Sequence, residues 1–582
     1  MGLFFNSITR TKSVQDILNQ SKVIADAEGH GGLKKVLTAR DLTFFGIAAV
    51  LGAGSFSSLG AAVFSGGPGV VLLYILCGIA CGFTAFCYAE FASRVPVAGS
   101  AYTYAYASFG ELMAWIIGWA LLMEYSIGNI YVSFSWSDYF TTLMEKFNIH
   151  IPAYFTCSYR EAANGIAAGT SVQELNDAWN HAPIIAGVRI IADLPAFIIN
   201  ILITYLVYKG VKESRNFSNA MVILKLAVIA LVILVGGALV INIGSFENWS
   251  PANASGTKSF MPNGFGGVMA AVSGVFFAYI GFDAVSVLAE ESKDPQRDLP
   301  KGMIWSLIIC TIIYIILTLV LTGAVVYTKF EGIGDPLAFI FESENLNQPW
   351  MVILVAICAV IAMTSVLLVF QLGQPRIWMT MSRDGLLPSA FQKIHATYRT
   401  PSFATIVTGL VVGIPILFTD KTFVLDFTSI GTLFAFVLVC GGVLLLPEKK
   451  KEPGKFHLPY INGQYIFPLG LLSLVLFLAL NGSDYFSDLF SIGTDSKLFS
   501  SASVRISTIL FWLIMITLSF YTYYKKFSLI PLMGMASCLY LLTGMAGSNW
   551  FWFFIWFGVG IMIYFGYGYK KSKLAISNAK LN

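Results

Sequence analysis

Charge is scarce in this sequence. Only 12% of its 582 residues are Asp, Glu, Lys or Arg, about half the usual share of a soluble domain. A chain of this length would otherwise suggest several domains, but with 56% hydrophobic residues it cannot clothe them in a polar surface, and its natural solvent is lipid. Histidine is rarer still. His30, His150, His181, His395 and His457 fall in loops or tails, and none has a metal-ligand or HxxxxD-type neighbour. No GxSxG, HExxH or P-loop occurs, so no catalytic residue, no metal site and no membrane enzyme is expected. Nor is there the ring of polar side chains or the carbonyl-filter sequence of a channel. The eight cysteines make no CxxC and no disulfide framework. Seven of them (Cys77, Cys81, Cys87, Cys310, Cys358, Cys440, Cys538) lie in apolar runs, and Cys157 stands alone in a polar connection. The opening MGLFFNSITRTKS has too short an apolar stretch for a signal peptide, and no cleavage site follows. A net charge of +4 needs no nucleic acid or acidic partner to explain it.

What the sequence has is apolar runs of membrane length. A span needs roughly 20 apolar residues to cross about 30 Å of hydrocarbon. Runs of that kind lie near 42–66, 70–93, 103–135, 187–208, 217–243, 264–289, 303–327, 350–374, 402–419, 425–446, 463–481, 502–524, 529–546 and 549–568. Helix is the default in lipid, because a helix satisfies its own backbone polar groups. An all-α polytopic membrane protein with about fourteen transmembrane helices is therefore expected. With the N-terminus placed in the cytoplasm, most Lys and Arg fall on the inner side. The clusters Lys209, Lys212, Arg215, then Lys449–Lys451 with Lys455, then Lys570, Lys571, Lys573 set that orientation by the positive-inside rule, which puts both termini in the cytoplasm of a plasma or inner membrane. Trp115, Trp119, Trp305, Trp512, Trp550, Trp552 and Trp556 fall near span ends and are expected in interfacial belts.

Two of the runs are interrupted. Gly52-Ala53-Gly54-Ser55-Phe56-Ser57-Ser58 breaks the first and Phe277-Ala278-Tyr279-Ile280-Gly281-Phe282-Asp283 the sixth. Glycine weakens a helix, and Ser and Asp compete for its backbone bonds. One such break could be a packing kink. Two, at the heads of successive five-span groups, point to an inverted-repeat transporter with its site near the bilayer midplane.

Phe276 to Gly302, FFAYIGFDAVSVLAEESKDPQRDLPKG, resembles the sixth-helix signature of the amino acid–polyamine–organocation superfamily. RVPVAGSAYTYAYASFGE (94–111), VKESRNFSNAMVILKLAVI (211–229) and QPRIWMTMSRDGLLP (374–388) agree in order, and WFFIWFGVGIMIYFGYGYKKS (552–572) is similar to the last helix of the cationic amino acid transporter branch. The resemblance implies an amino acid permease with a LeuT-type 5+5 fold. Its parts are a cytoplasmic tail over 1–40, a ten-helix core over 41–446, four added helices over 447–569 and a cytoplasmic tail over 570–582.

An amino-acid substrate is a zwitterion, and bare charges are costly in low dielectric. A broken helix offers partners without side-chain charge: free N–H groups for the carboxylate and free C=O groups for the ammonium. The first break would present amides of Ala53, Gly54 and Ser55, beside Gly52. Carbonyls of Val50 and Leu51, with Phe277, Ala278 and Ile280, would hold the ammonium, as aligned positions do in the resembling family. Ala53 stands where many relatives carry a hydroxyl. Tyr279 or Phe277 would close the site from outside. Lys225 sits in MVILKLAVIALVI, about eight residues or roughly 12 Å inside its span, farther than a lysine stem can snorkel. A buried ammonium readily loses its proton, which makes Lys225 a candidate proton carrier. The resemblance implies that its amine reaches the first helix near Ala49 and the eighth at Thr364 or Ser365. No cofactor is expected beyond the proton as coupling ion. Glu124 and Asp283 are intramembrane acids, either structural or supporting the site.

Mixed charges at Glu290, Glu291, Lys293, Asp294, Arg297 and Asp298, and at Arg376, Arg383 and Asp384, read as solvated faces. By the resemblance, some of them form an inner gate with Arg94 and the Gly99-Ser100 turn. The expected activity is proton-coupled amino-acid symport by alternating access. An exchanger, a facilitator or a non-transporting sensor is the alternative. Cationic, neutral and broad substrate ranges all fit.

Overall fold

The computed structural model describes residues 10–12, 37–52, 54–94, 100–169, 172–185, 187–210, 215–252, 256–446, 456–481, 485–490 and 502–575. The expected apolar runs fall largely in helices. The first is α1 (Ala39–Val50), a break, and α2 (Leu59–Gly66). Then come α3 (Val70–Arg94), α4 (Glu111–Lys146), α5 (Leu194–Lys209) and α6 (Arg215–Ile243). The sixth span is α7 (Gly264–Ala270), α8 (Val272–Phe277) and a tight 3-10 stretch Phe282–Glu291. Next are α9 (Pro295–Ala324), α10 (Pro349–Arg383), α11 (Ser402–Ile416) and α12 (Lys421–Leu445). The last four are α13 (Gly463–Asn481), α14 (Ala502–Lys525), α15 (Leu529–Thr543) and α16 (Gly547–Ile563). Among the described residues, eight helical stretches are long and apolar enough to cross a membrane. A ninth is bent by 42° between α7 and α8, and α5, α11 and α15 are shorter apolar helices. The protein is a polytopic, multi-pass membrane protein.

Caps explain where several helices begin. Asp193 accepts the Ala196 N–H at 3.0 Å and Pro195 follows it, so α5 starts later than the apolar run from 187 suggests. Asp420 caps α12 through the Phe423 N–H at 2.8 Å. The third run divides at Gly110, whose φ of +101° no other residue adopts without strain, and α4 then continues to Lys146. The polar connection before α5 folds into two short helices, Tyr159–Ala168 and Gln173–His181, and a two-stranded hairpin (β1 Ile184–Ile185, β2 Val188–Arg189). These close over Cys157, Ala162, Ala178 and Ile191.

The bundle core is continuous, with α4 packed along α10 and α3 along α9. Two of the expected belt tryptophans prove to be packing residues. Trp115 and Trp119 are buried, stacked on each other at 5.6 Å. Their indoles donate to the carbonyls of Gly560 (3.0 Å) and Trp556 (2.9 Å), pinning α16 to α4. Trp512 is buried as well, whereas Trp305 and Trp552 are exposed on apolar helices, as a belt requires. A tryptophan near a span end has the same sequence signature whether it meets headgroups or a neighbouring helix.

Candidate substrate and coupling site

The two breaks lie against each other, and glycine is what lets them. A Cβ on Gly54 would stand 2.5 Å from the Ala278 Cα, and one on Gly52 would stand 2.7 Å from Val366 of α10. Gly281, at φ +111°, sits within about 3.1 Å of the Ala49 backbone by the same measure. After α1 the chain resumes as one wide turn, Gly54–Ser58. The Ser58 hydroxyl reaches the carbonyls of Gly54 (2.9 Å) and Gly274 (2.8 Å), so it ties the first break to α8. Tyr314 of α9 ties both at once: its hydroxyl lies 2.9 Å from the Val50 carbonyl and 2.7 Å from that of Ala278. Sequence reasoning passed over Tyr314, because a tyrosine inside CTIIYIILT signals burial and nothing more.

Each residue expected to hold substrate has a definite place, except Ala53, which lies outside the described residues. The Val50 carbonyl accepts from Gly52 N–H (3.0 Å) as well as from Tyr314. Ser55 turns back on Gly52, with its amide at 3.1 Å and its hydroxyl at 3.0 Å from that carbonyl. The Phe277 carbonyl accepts the Ile280 N–H at 3.1 Å. In this conformation, therefore, the Ser55 amide and the carbonyls of Val50, Phe277 and Ala278 are engaged within the protein rather than standing open. Gly54, Leu51 and Ile280 are buried at the breaks. Tyr279 donates to the Tyr74 carbonyl at 2.7 Å and so faces α3. Phe277 meets the Tyr131 ring edge-on at 4.5 Å, and the Tyr131 hydroxyl is 3.3 Å from Ser57. Phe277 and Tyr131 thus form an aromatic pair beside the first break.

Lys225 is buried on α6. Its ammonium donates to the Ala48 carbonyl at 3.3 Å and to the Ser365 hydroxyl at 2.9 Å. The Ser365 proton goes to Ala362 (2.7 Å), leaving its oxygen free to accept. The contact on the first helix is Ala48, one residue before the expected Ala49. The one on the eighth is Ser365 rather than Thr364, whose hydroxyl accepts from Trp136 at 2.9 Å and donates to Val360 at 2.7 Å. One residue along a helix turns a group by about 100°, which is the resolution a sequence offers here. One amine thus joins α1, α6 and α10.

Glu124 and Asp283 are both buried, near enough for their charges to interact. Asp283 accepts main-chain N–H groups of Gly281 and Ala284, so it steadies the second break. Glu124 lies beside the Thr432 hydroxyl, and its Oε2 has no hydrogen-bond partner among the described residues.

Residues 10–12 and 569–575 meet on one face. Lys12 pairs with Asp384 at the end of α10 (2.9 Å), and Tyr102 donates to the same carboxylate at 2.8 Å. The Asp384 carbonyl accepts from Lys573 N–H at 3.0 Å. Glu111, fully buried, receives the hydroxyls of Tyr106 (3.1 Å), Tyr564 (3.0 Å) and Ser572. Arg94 pairs with Glu90 at 2.6 Å. Gly99 and the side chains of Glu290 and Glu291 lie outside the described residues. Asp384, read from sequence as a solvated charge, is therefore an anchor for both tails.

The sequence profile of the amino acid permease family matches residues 37–490, from the start of α1 to beyond the end of α13. The chain belongs to the amino acid permease family. A profile for the permease C-terminus matches residues 527–572 of this permease, covering α15 and α16. It is 40% identical to the branched-chain amino acid permease BcaP of Bacillus subtilis (strain 168), over 82% of its own length and 92% of the relative's. It is 37% identical to the methylthioribose transporter of the same organism, over 83% and 97%. With the vacuolar cationic amino acid transporter 2 of Arabidopsis thaliana it shares 34% identity, over 78% and 66%. These are transporters, as the superfamily resemblance implied.

Proposed function

We propose that this permease moves amino acids by proton-coupled symport, through alternating access in a LeuT-type fold. The ten helical segments of two inverted five-span repeats would run from α1 to α12, over residues 41–446. Four added helices, α13–α16, would lie over 447–569, for about fourteen crossings in all. The excess of Lys and Arg on the chain-end face favours a cytoplasmic location for residues 1–40 and 570–582, in a plasma or inner membrane. No cofactor enters this reading; the proton is the coupling ion.

The observation that carries it is the placement of Lys225. Its protonated amine donates to a backbone carbonyl of the broken helix and to a hydroxyl of α10. A neutral amine would give up charge-assisted bonds that each contribute on the order of 1.5–3 kcal/mol. Loss of the proton therefore loosens α1 from α10 and α6, and the first helix is free to tilt. Substrate carboxylate and ammonium would take over the polar groups of the two breaks once Ser55, Val50 and Ala278 give up their internal partners. Val366 beside Gly52, with Phe277 and Tyr131 packed on each other near Ser57, favours a neutral, branched side chain, in line with the name of the Bacillus permease. Glu124, with one oxygen unpartnered among the described residues, favours instead a cationic side chain.

The test is uptake by Lys225→Met in proteoliposomes. The account expects substrate binding to persist while gradient-driven accumulation is lost. Full proton-dependent accumulation by that variant would overturn it, and accumulation without a gradient by the parent would point to a facilitator or exchanger.

A further inference from the structure

On the face opposite the chain ends, four separate pieces of the fold converge above the Phe277–Tyr131 pair. Asp138 of α4 lies two turns beyond Tyr131 and pairs with Lys421, the first residue of α12. The Lys421 ammonium also stands 5.8 Å over the Tyr131 ring. Gly334, on the connection between α9 and α10, fits directly against Asp138: a Cβ there would stand 2.3 Å from the carboxylate. Beside it, the Thr142 hydroxyl donates to Asp335 at 2.8 Å. The segment before α5 lies over the same place. Its Arg160 pairs with Asp420 at 2.9 Å and covers the Phe423 ring at 5.1 Å, so it grips the start of α12 right next to Lys421. Between Tyr131 and Asp138, one turn from each, Ser135 is fully buried.

We propose that the Asp138–Lys421 pair is the latch that shuts the substrate pathway on this face, and that Arg160 braces it through Asp420. The inference rests on the transport reading above. The physical case is the position of the charges. Lys421 and Asp138 are 17% and 28% exposed, dry enough for the pair to resist screening and wet enough for its ions to rehydrate when it parts. Each ion belongs to a different long helix, α12 or α4, and each also contacts a second group. Lys421 holds the Tyr131 ring, and Tyr131 in turn holds Ser57 in the first break. Opening the ion pair thus frees the aromatic pair, and the aromatic pair frees the break. Asp420 lies one residue away and is anchored from the segment above, so α12 cannot swing out while Arg160 is in place.

The experiment introduces Ser135→Cys and follows modification of the new thiol by a membrane-impermeant thiosulfonate applied from the Lys421 side. Labelling of the same variants without the new cysteine is subtracted, which removes any signal from Cys157. K421Q and D138N should each raise the labelling rate about tenfold, the effect of shifting the closed–open balance by one such ion pair. R160Q should raise it less, in the same direction. K421R keeps the charge and should stay at the parent rate. Unchanged labelling in K421Q and D138N would overturn the proposal, as would K421R labelling as fast as K421Q. If either neutral variant fails to fold, the other decides. Labelling needs no substrate gradient. A latch that behaves as stated in a protein that accumulates nothing therefore contradicts symport and not the latch. Normal accumulation with unshifted labelling does the reverse.

Discussion

Lys225 and Tyr314 show what single buried polar groups do in this bundle. Each joins a backbone carbonyl of the first helix, Ala48 or Val50, to another helix. Tyr314→Phe leaves the Val50 and Ala278 carbonyls short of a partner and should cost about 1–3 kcal/mol, read as a lower thermal midpoint. Tyr74→Phe is the internal control. The Tyr74 hydroxyl has no hydrogen-bond partner among the described residues, so its removal should leave the midpoint nearly unchanged. Acids in the segments above α4 give a pH dependence. Burial pushes Asp335 from an ordinary 3.8 up to about 8, against the opposing Thr142 hydroxyl. Burial, with Asp138 nearby, pushes Glu161 from 4.5 up to about 7. An acid whose native pKa is raised binds its proton more tightly when folded. Its stabilisation is therefore complete below about pH 4 and is lost as pH rises through 7 to 8. Hydrogen exchange over residues 153–181, corrected for the intrinsic rate, should accelerate across that window, and Asp335→Asn with Glu161→Gln should flatten the response.

At the scale of elements, the breaks are defined by close approach. Gly281→Ala must place a side chain at φ +111° against the Ala49 backbone, a strain of roughly 1–2 kcal/mol before any clash. The expected result is a transporter that assembles poorly and takes up little substrate, measured by monodisperse yield and uptake together. Gly560→Val should detach α16 from α4, since a Cβ there already meets Trp119 at 2.5 Å, and should lower the thermal midpoint without changing which substrate is taken. Much of this was legible in the sequence. Apolar length gave the helices, the paired Gly-rich interruptions gave the breaks, and a lysine deep in MVILKLAVIALVI stood out because lipid makes it expensive. The rest depends on which face a residue presents to which neighbour. Periodicity indicates that Tyr314 and Trp119 are buried, not that one meets two carbonyls and the other stacks on Trp556. The partners Lys12 and Asp384 lie 372 residues apart, and Asp138 and Lys421 lie 283 apart. No local pattern joins them.

For the whole molecule, the two faces are held by different means. On one face, residues 10–12 and 569–575 converge on Asp384 and Glu111; on the other, Asp138–Lys421 and Arg160–Asp420 join the connections to α4 and α12. Between them the two breaks lean on each other, with Lys225 as a third support. The proposed symport would need these contacts to part on one face while they hold on the other. The most direct test is uptake of a panel of labelled amino acids into proteoliposomes in sodium-free buffer, with and without an inward proton gradient. The account predicts that one class accumulates only when the gradient is present, and that Lys225→Met abolishes the accumulation while substrate still binds. Binding without accumulation under either a proton or a sodium gradient would contradict symport and make the protein a facilitator, an exchanger or a sensor.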